Sequence, residues 1–378
     1  MTKTSFMKQS LMKKSYQALV KALGRGVKGS RSLTLEESKF LVTGFYDGYG
    51  TRAQLATSLM LMRVRGETID EIAGVTLGIQ STISPEWKTI DASIDWPCYA
   101  GKRDMLPWLL LAAKVLAKEG ERVLLHGDPH SLSHRLHIAR YVASLGIPVV
   151  SSAKEAKSAL DSAGICYLDA DHLTPLVSVF RSLHQELGLR SLFQTAIRCV
   201  NPASAPVSLR SYFHPGLDKV HVKVARSIAL FSPESKEIRV GIFKGVQGET
   251  EVNPRIATEL SIVTDHGQEG FVIPTLLEGV IGITKFTSQL EIDQKQIAEL
   301  FISIWQRGEL ISHDELIPDT QRVTQLAIAS VLSSLSAIYL IKGRCQRTKV
   351  ATQLALKAWK NRENKLKGLV KKPVLEER

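Results

Sequence analysis

The chain has 378 residues, 44% hydrophobic and 23% charged, with a formal net charge of +12 at pH 7, which suits a globular protein large enough for two domains. The basic N-terminus has no secretory apolar core and no run of about 18 apolar residues occurs, so neither export nor a membrane span is expected. Cys98, Cys166, Cys199 and Cys345 form no CxxC pair and have no histidine at metal-ligand spacing, so they read as reduced thiols of a cytoplasmic protein.

The positive excess favours an anionic partner, and its distribution sharpens that expectation. No acid precedes Glu36, while Lys3, Lys8, Lys13, Lys14, Lys21, Arg25, Lys28 and Arg31 all do. The C-terminal run AWKNRENKLKGLVKKP is also basic, and such tails add sequence-independent affinity for nucleic acid by releasing counterions.

In chain order, Ser10–Leu23 has amphipathic helical spacing and ends at Gly24 and Gly26, which open the basic loop GRGVKGSRS. Thr34 with Glu37 three residues on is a reciprocal capping pattern. TRAQLATSLMLMRVRG follows with helical spacing, and Thr68 begins a helix through Ala73. Residues 1–75 therefore read as all-helical. Beyond them, the short apolar runs RVLLHG, IPVVSS, ICYLDA, RVGIFKG and LSIVT alternate with helical stretches, among them one from RVLLHG to about Leu145, SAKEAKSALDSAG and HPGLDKVHVKVARSIAL. The alternation predicts an α/β fold with a mostly parallel sheet covered on both faces. From Gln294 to Lys365 the pattern returns to helix.

Three stretches carry a family resemblance. LTLEESKFLVTGFYDGYGTRAQLATSLMLMRVRGETIDEIAG resembles the N-terminal helical domain of anthranilate phosphoribosyltransferase, LGLRSLFQTAIRCVNPASAP is similar to that family's LGiRTiFNllGPLxNPa, and VTQLAIASVLSSLSAIYLIKG to its NAaxaLyvaG segment. The resemblance implies a small helical domain of residues 1–75, joined by about 173–202, and a large α/β domain of 76–172 and 203–378, assembled as a homodimer.

The family's chemistry does not carry over with the fold. Its phosphoribosyl pyrophosphate loop, GTGGDxxxTFNIST, presents backbone N–H groups and hydroxyls to phosphate; here CYAGKRDMLPWLL keeps only Gly101. Its KHGNRxxSS loop appears as LHGDPHSLSH, with Leu125 for the lysine, His126 and Gly127 retained, and Asp128 for the asparagine. A carboxylate about 4 Å from a phosphate costs about 4 kcal/mol at an effective dielectric near 20, so Asp128 is expected to oppose that ligand. The GxDE carboxylates that hold magnesium become Thr250 and Glu251, and a hard cation beside polyphosphate is normally held by more than one oxygen ligand. Arg190 alone matches a substrate-contacting residue.

WPCYAGK and GRGVKGSR resemble instead the non-catalytic YbiB-like branch of the superfamily. That resemblance implies a protein that binds DNA or RNA with little sequence preference, without a cofactor; the alternative is a phosphoribosyltransferase or nucleoside phosphorylase with a remodelled site. Candidate nucleic-acid contacts are Lys21, Arg25, Lys28 and Arg31 in and before the glycine loop, Lys102 and Arg103 at the altered phosphate loop, and Arg210. Lys219, Lys223 and Arg226 at i, i+4 and i+7 fall within about 60° of one another on a helix, with Val220, Val224 and Ile228 on a separate apolar stripe. Trp96, Tyr99 and Trp108 beside Lys102 could stack bases or pack in the core. His130 and His134 have helical metal spacing but no placed third ligand, so no metal is expected.

Overall fold

The computed structural model describes residues 3–132, 134–231, 237–277, 294–308 and 319–363. Four helices open the chain: α1 (Lys3–Gly24), α2 (Leu35–Tyr46), α3 (Arg52–Arg65) and α4 (Ile69–Ser81). Three of their starts are written locally, because Thr34, Thr51 and Thr68 each accept the N–H of the residue three places on, and Glu37, Gln54 and Glu71 return the bond to the threonine N–H. Reciprocal capping of this kind satisfies two of the N–H groups that a helix start leaves unpaired. Glu71 does more: its buried carboxylate also accepts the N–H of Leu33 at 3.0 Å and pairs with Arg65 at 3.0 Å, tying the loop before α2 to α4.

The strands are β1 (Ile94–Pro97), β2 (Val123–Gly127), β3 (Val149–Val150), β4 (Ile165–Asp169), β5 (Val207–Tyr212), β6 (Arg239–Lys244), β7 (Thr258–Thr264) and β8 (Gly267–Ile273). They form one sheet in the order β3-β4-β2-β1-β5-β6-β7-β8. Pairing is parallel from β3 to β6 and antiparallel for β6–β7 and β7–β8. The mostly parallel sheet expected from the alternation is present. Its β1, β5 and β8 lie outside the apolar runs singled out in the sequence, since IDWP, VSLRSY and GQEGFVI are interrupted by polar residues.

Alternation along the strands sorts the core into two faces. Val123, Leu125, Ile165 and Tyr167 point to one side, with α5 (Leu109–Lys118) and the later helices α10 (Gln294–Arg307), α11 (Asp319–Ile341) and α12 (Thr348–Lys360). Leu124, Cys166 and Leu168 point to the other, where they share a cluster with the opening bundle, α6 (Ala153–Ala163), α7 (Leu176–Leu187), the short α8 (Phe193–Ala196) and α9 (Leu217–Leu230). The long apolar α11 has the length and composition of a membrane span, but 94% of that window is buried inside the protein, which makes it a core helix. Cys98, Cys166 and Cys199 are buried free thiols, and Cys345 is free and partly exposed.

One expected helix is absent. The described residues from Gly127 to Leu145 make turns and two single 3-10 turns, Ile138–Arg140 and Ala143–Leu145, because Leu136 instead forms a two-way backbone bridge with Lys102. The segment is used to close over the loop after β1. The basic tail beyond Glu363 lies outside the described residues.

Candidate functional site at the carboxyl edge of the sheet

Strand order reverses at β1, whose neighbours β2 and β5 lead away on opposite sides. In an open parallel sheet, the carboxyl ends beside such a reversal form the crevice where ligands bind. Three loops meet there: 98–108 after β1, 128–137 after β2, and 245–251 after β6. Gly127 lets two of them touch, since a Cβ at that position would stand 2.1 Å from the Cys98 carbonyl oxygen.

At the centre of the crevice, Lys102 and Glu251 form an ion pair at 2.9 Å with both side chains fully buried; the angles at the two atoms are poor for a hydrogen bond. The second Glu251 oxygen accepts the Leu109 N–H at 2.9 Å. Leu109 is the first residue of α5, whose N-cap, Trp108, supplies no side-chain acceptor. A helix N-terminus collects unpaired N–H groups and the positive end of the backbone dipole, the combination that favours phosphate. In this chain a carboxylate of the protein occupies it. Burial pushes the Glu251 carboxyl up, while Lys102 and the Leu109 N–H pull it back.

The neighbouring donors are committed as well. Glu249, also buried, accepts the N–H of Gly101 at 2.8 Å and of Thr250 at 3.0 Å, and the Thr250 hydroxyl donates to the Pro97 carbonyl at 2.6 Å. Gly101 adopts φ 62° and has no room for a side chain, because a Cβ would lie 2.7 Å from that of Arg135. Glu251, Glu249 and Thr250 therefore do not fit the open oxygen set that magnesium beside a polyphosphate requires.

His126 sits in a second buried network. Its Nε2 lies 2.9 Å from Asp95, its Nδ1 2.8 Å from the Tyr99 hydroxyl, and Asp95 also accepts from Ser208 at 2.7 Å. The two ring nitrogens, the Asp95 carboxylate and the Tyr99 and Ser208 hydroxyls thus all find partners within this network. The charge of Asp128 is neutralised by Arg181 at 3.1 Å, a correction to the expectation that Asp128 would oppose phosphate directly. Arg181 also pairs with Asp171 at 2.5 Å. His130 and His134 lie in turns rather than on a helix; His130 instead faces Asp169 at 3.4 Å, and ligand atoms of His130, Asp169 and Asp171 lie within 4.8 Å of one another.

The structure adds arginines that the residue pattern alone did not single out. Arg135 is 8% exposed, and its Nε has no hydrogen-bond partner among the described residues. Burial lowers its pKa first, and the guanidinium groups of Arg103, Arg190 and Arg198 lower it further against the opposing charge of Glu249. Arg198 donates to the Gly248 carbonyl at 2.9 Å and feels Arg190 in the same way. Arg190 and Arg198 line a small cavity of about 30 Å³ with Tyr99 and Asp128. Arg198 stands where the family motif quoted above has proline, and that exchange was the available signal.

The expected nucleic-acid contacts divide. Lys219, Lys223 and Arg226 are exposed together on α9, with Val224 and Ile228 buried beneath them; Arg226 also donates to Gln268 at 3.2 Å. Lys21, Arg25 and Lys28 are exposed, and Arg31 is exposed but held by both oxygens of Glu37 at 2.6 Å. Arg103 is exposed, 5.8 Å from the Phe213 ring centre. Two assignments are corrected: Lys102 is buried in its ion pair, and Arg210 is 3% exposed on β5, so neither can meet a polymer at the surface. Trp96, Tyr99 and Trp108 are buried and present no face for base stacking.

Comparison with known proteins agrees with this architecture. Residues 17–82 match the glycosyl transferase family, helical bundle domain. The anthranilate phosphoribosyltransferase of Anaeromyxobacter sp. (strain Fw109-5) is 29% identical over 201 residues, 53% of this chain and 58% of the relative. That of Anaeromyxobacter sp. (strain K) is 31% identical over 191 residues, 50% and 55% of the two chains. The chain thus spans just over half the length of these curated relatives. Among solved structures, anthranilate phosphoribosyltransferase (TrpD) from Thermus thermophilus superposes with a TM-score of 0.66 at 18% identity, covering 93% of this chain and 96% of the other. The Saccharomyces cerevisiae enzyme in complex with PRPP and Mg gives 0.63 at 13% identity, covering 94% and 99%. Residues 17–82 thus resemble a glycosyl transferase family helical bundle domain, and the chain as a whole shares the fold of the anthranilate phosphoribosyltransferase structures.

Proposed function

We propose that the chain binds nucleic acid without strong sequence preference, on a phosphoribosyltransferase scaffold whose pyrophosphate site is filled by its own side chains. The observation that carries this reading is the buried Lys102–Glu251 pair at the start of α5. A sugar pyrophosphate would have to displace Glu251 and take Lys102 as its own partner, leaving the buried Glu251 carboxylate without its cation, and uncompensated buried charge is strongly unfavourable. Cations that remain in water include Lys219, Lys223 and Arg226 on α9, Lys21, Arg25 and Lys28 near the glycine loop, and Arg103. Such side chains contact phosphates irrespective of base. The same reading takes the chain as a cytoplasmic homodimer, with residues 1–75 and about 173–202 forming one domain and 76–172 and 203–378 the other.

Fluorescence anisotropy with unrelated single-stranded DNA, duplex DNA and RNA at rising salt tests it. Affinity should vary little with sequence and fall steeply with salt. Replacing Lys219 and Lys223 together with glutamine should weaken all ligands alike and reduce the salt slope by about 2. No affinity at low salt, or an affinity indifferent to salt, would remove the reading.

The names of the relatives favour a second reading, an enzyme of the phosphoribosyltransferase type. It requires the Lys102–Glu251 pair to open on substrate binding. It predicts pyrophosphate release from phosphoribosyl pyrophosphate with magnesium, lost in Glu251→Ala.

A further inference from the structure

A second cavity, of about 580 Å³, lies away from the three loops just described. Its floor is the face of the sheet where Ser208 on β5, Val240 on β6 and Val263 on β7 stand in one cross-strand row. Its roof is α9, through Ala225 and Ile228, and the end of α4. Ligand cavities of several hundred Å³ with apolar walls and a few converging polar groups are the usual form of a small-molecule site.

Arg210, two residues beyond Ser208 on the same face of β5, lines this cavity at 3% exposure. Its Nη2 donates to the Cys199 carbonyl at 3.3 Å, and among the described residues Nε and Nη1 have no hydrogen-bond partner. A buried guanidinium left with unpaired donors is rare in proteins, because burial removes its water without replacing it. The neighbouring amide offers no relief, since Asn201 spends its side chain on the Ala205 backbone. We propose that this cavity binds a small organic anion with an apolar body, a carboxylate or a phosphate monoester whose charged end is held by Arg210. Charge-assisted hydrogen bonds of an arginine to such groups are among the strongest that side chains make. Ile228, Val240 and Val263 supply the apolar contact. The site is independent of the nucleic-acid reading, because Lys219, Lys223 and Arg226 do not line it.

Calorimetric titration of the full chain with 1-naphthyl phosphate and, separately, with 2-naphthoate tests the proposal. Saturable one-to-one binding of at least one is expected, and which one binds identifies the anion class. Inorganic phosphate, lacking the apolar body, should bind at least tenfold more weakly. Arg210→Met should weaken binding of the naphthyl anion at least tenfold while leaving the melting temperature unchanged or raised, since it removes an uncompensated charge. Ala229→Trp, built from the exposed rim, should block the cavity without touching Arg210, and it keeps the test open if the arginine variant does not fold. Failure of both naphthyl anions to saturate at millimolar concentration, or equal affinity in wild type and either folded variant, would overturn the site.

Discussion

The opening bundle and the loops at the carboxyl edge of the sheet begin their helices in opposite ways. In the bundle, α2, α3 and α4 each start on a threonine whose partner is three residues away. At the crevice, α5 starts on Trp108 without a side-chain cap and takes its acceptor from Glu251, 142 residues later in the chain. The first arrangement stabilises a helix whatever surrounds it; the second exists only when β1, β5 and β6 have assembled. The crevice is therefore held by long-range charge.

The largest test of that contrast is to break the buried pair. Lys102→Met should cost about 3–5 kcal/mol, because it leaves Glu251 buried without its cation. The double variant Lys102→Met with Glu251→Gln keeps an acceptor for the Leu109 N–H and removes both charges, so urea unfolding should recover most of that loss. Equal losses in single and double variants would mean that the pair contributes through packing rather than charge.

An intermediate effect comes from His221, buried on α9 beside Cys199, with Sγ 3.9 Å from its Nδ1. Burial, helped by Arg210 and Arg198, pushes its imidazole from 6.5 down to about 3. As pH falls below 6.5 the unfolded chain takes up a proton that the folded one refuses. Stability is therefore lost progressively from about 6.5 towards 3, by about 2 kcal/mol between pH 7 and pH 5. His221→Gln should unfold with a correspondingly smaller difference between those two pH values; an unchanged difference would place the acid sensitivity elsewhere.

The smallest effects belong to the bundle. Thr34→Ala, Thr51→Ala and Thr68→Ala should each cost about 1 kcal/mol, and the Thr51 loss should add to either of the others, whereas Thr34 and Thr68 are joined through Glu71, which also accepts the Leu33 N–H. Strong coupling of Thr51→Ala to either of the others would show that this helix start, too, depends on distant assembly.

These differences also explain what could be read from the chain. The bundle was legible because the Thr34–Glu37 pair, the helix start at Thr68 and the apolar spacing between them are local signals. The strands β2, β4 and β6 were legible as apolar runs buried on both faces. Strands β1 and β5 were not, since Asp95, Ser208 and Arg210 are polar residues whose partners lie on other elements. For the same reason Lys102 and Arg210 read as surface cations: nothing near them in sequence announces Glu251 or the enclosure under α9. Lys219, Lys223 and Arg226 read correctly as one exposed face, because a single helix period decides it.

The decisive measurement is a calorimetric titration of the wild-type chain with phosphoribosyl pyrophosphate in the presence of magnesium. If Lys102 and Glu251 fill the pyrophosphate position, no saturable binding appears up to millimolar concentration, while single-stranded DNA binds the same preparation at low salt. Saturable binding of the sugar pyrophosphate that disappears in Glu251→Ala would contradict the account.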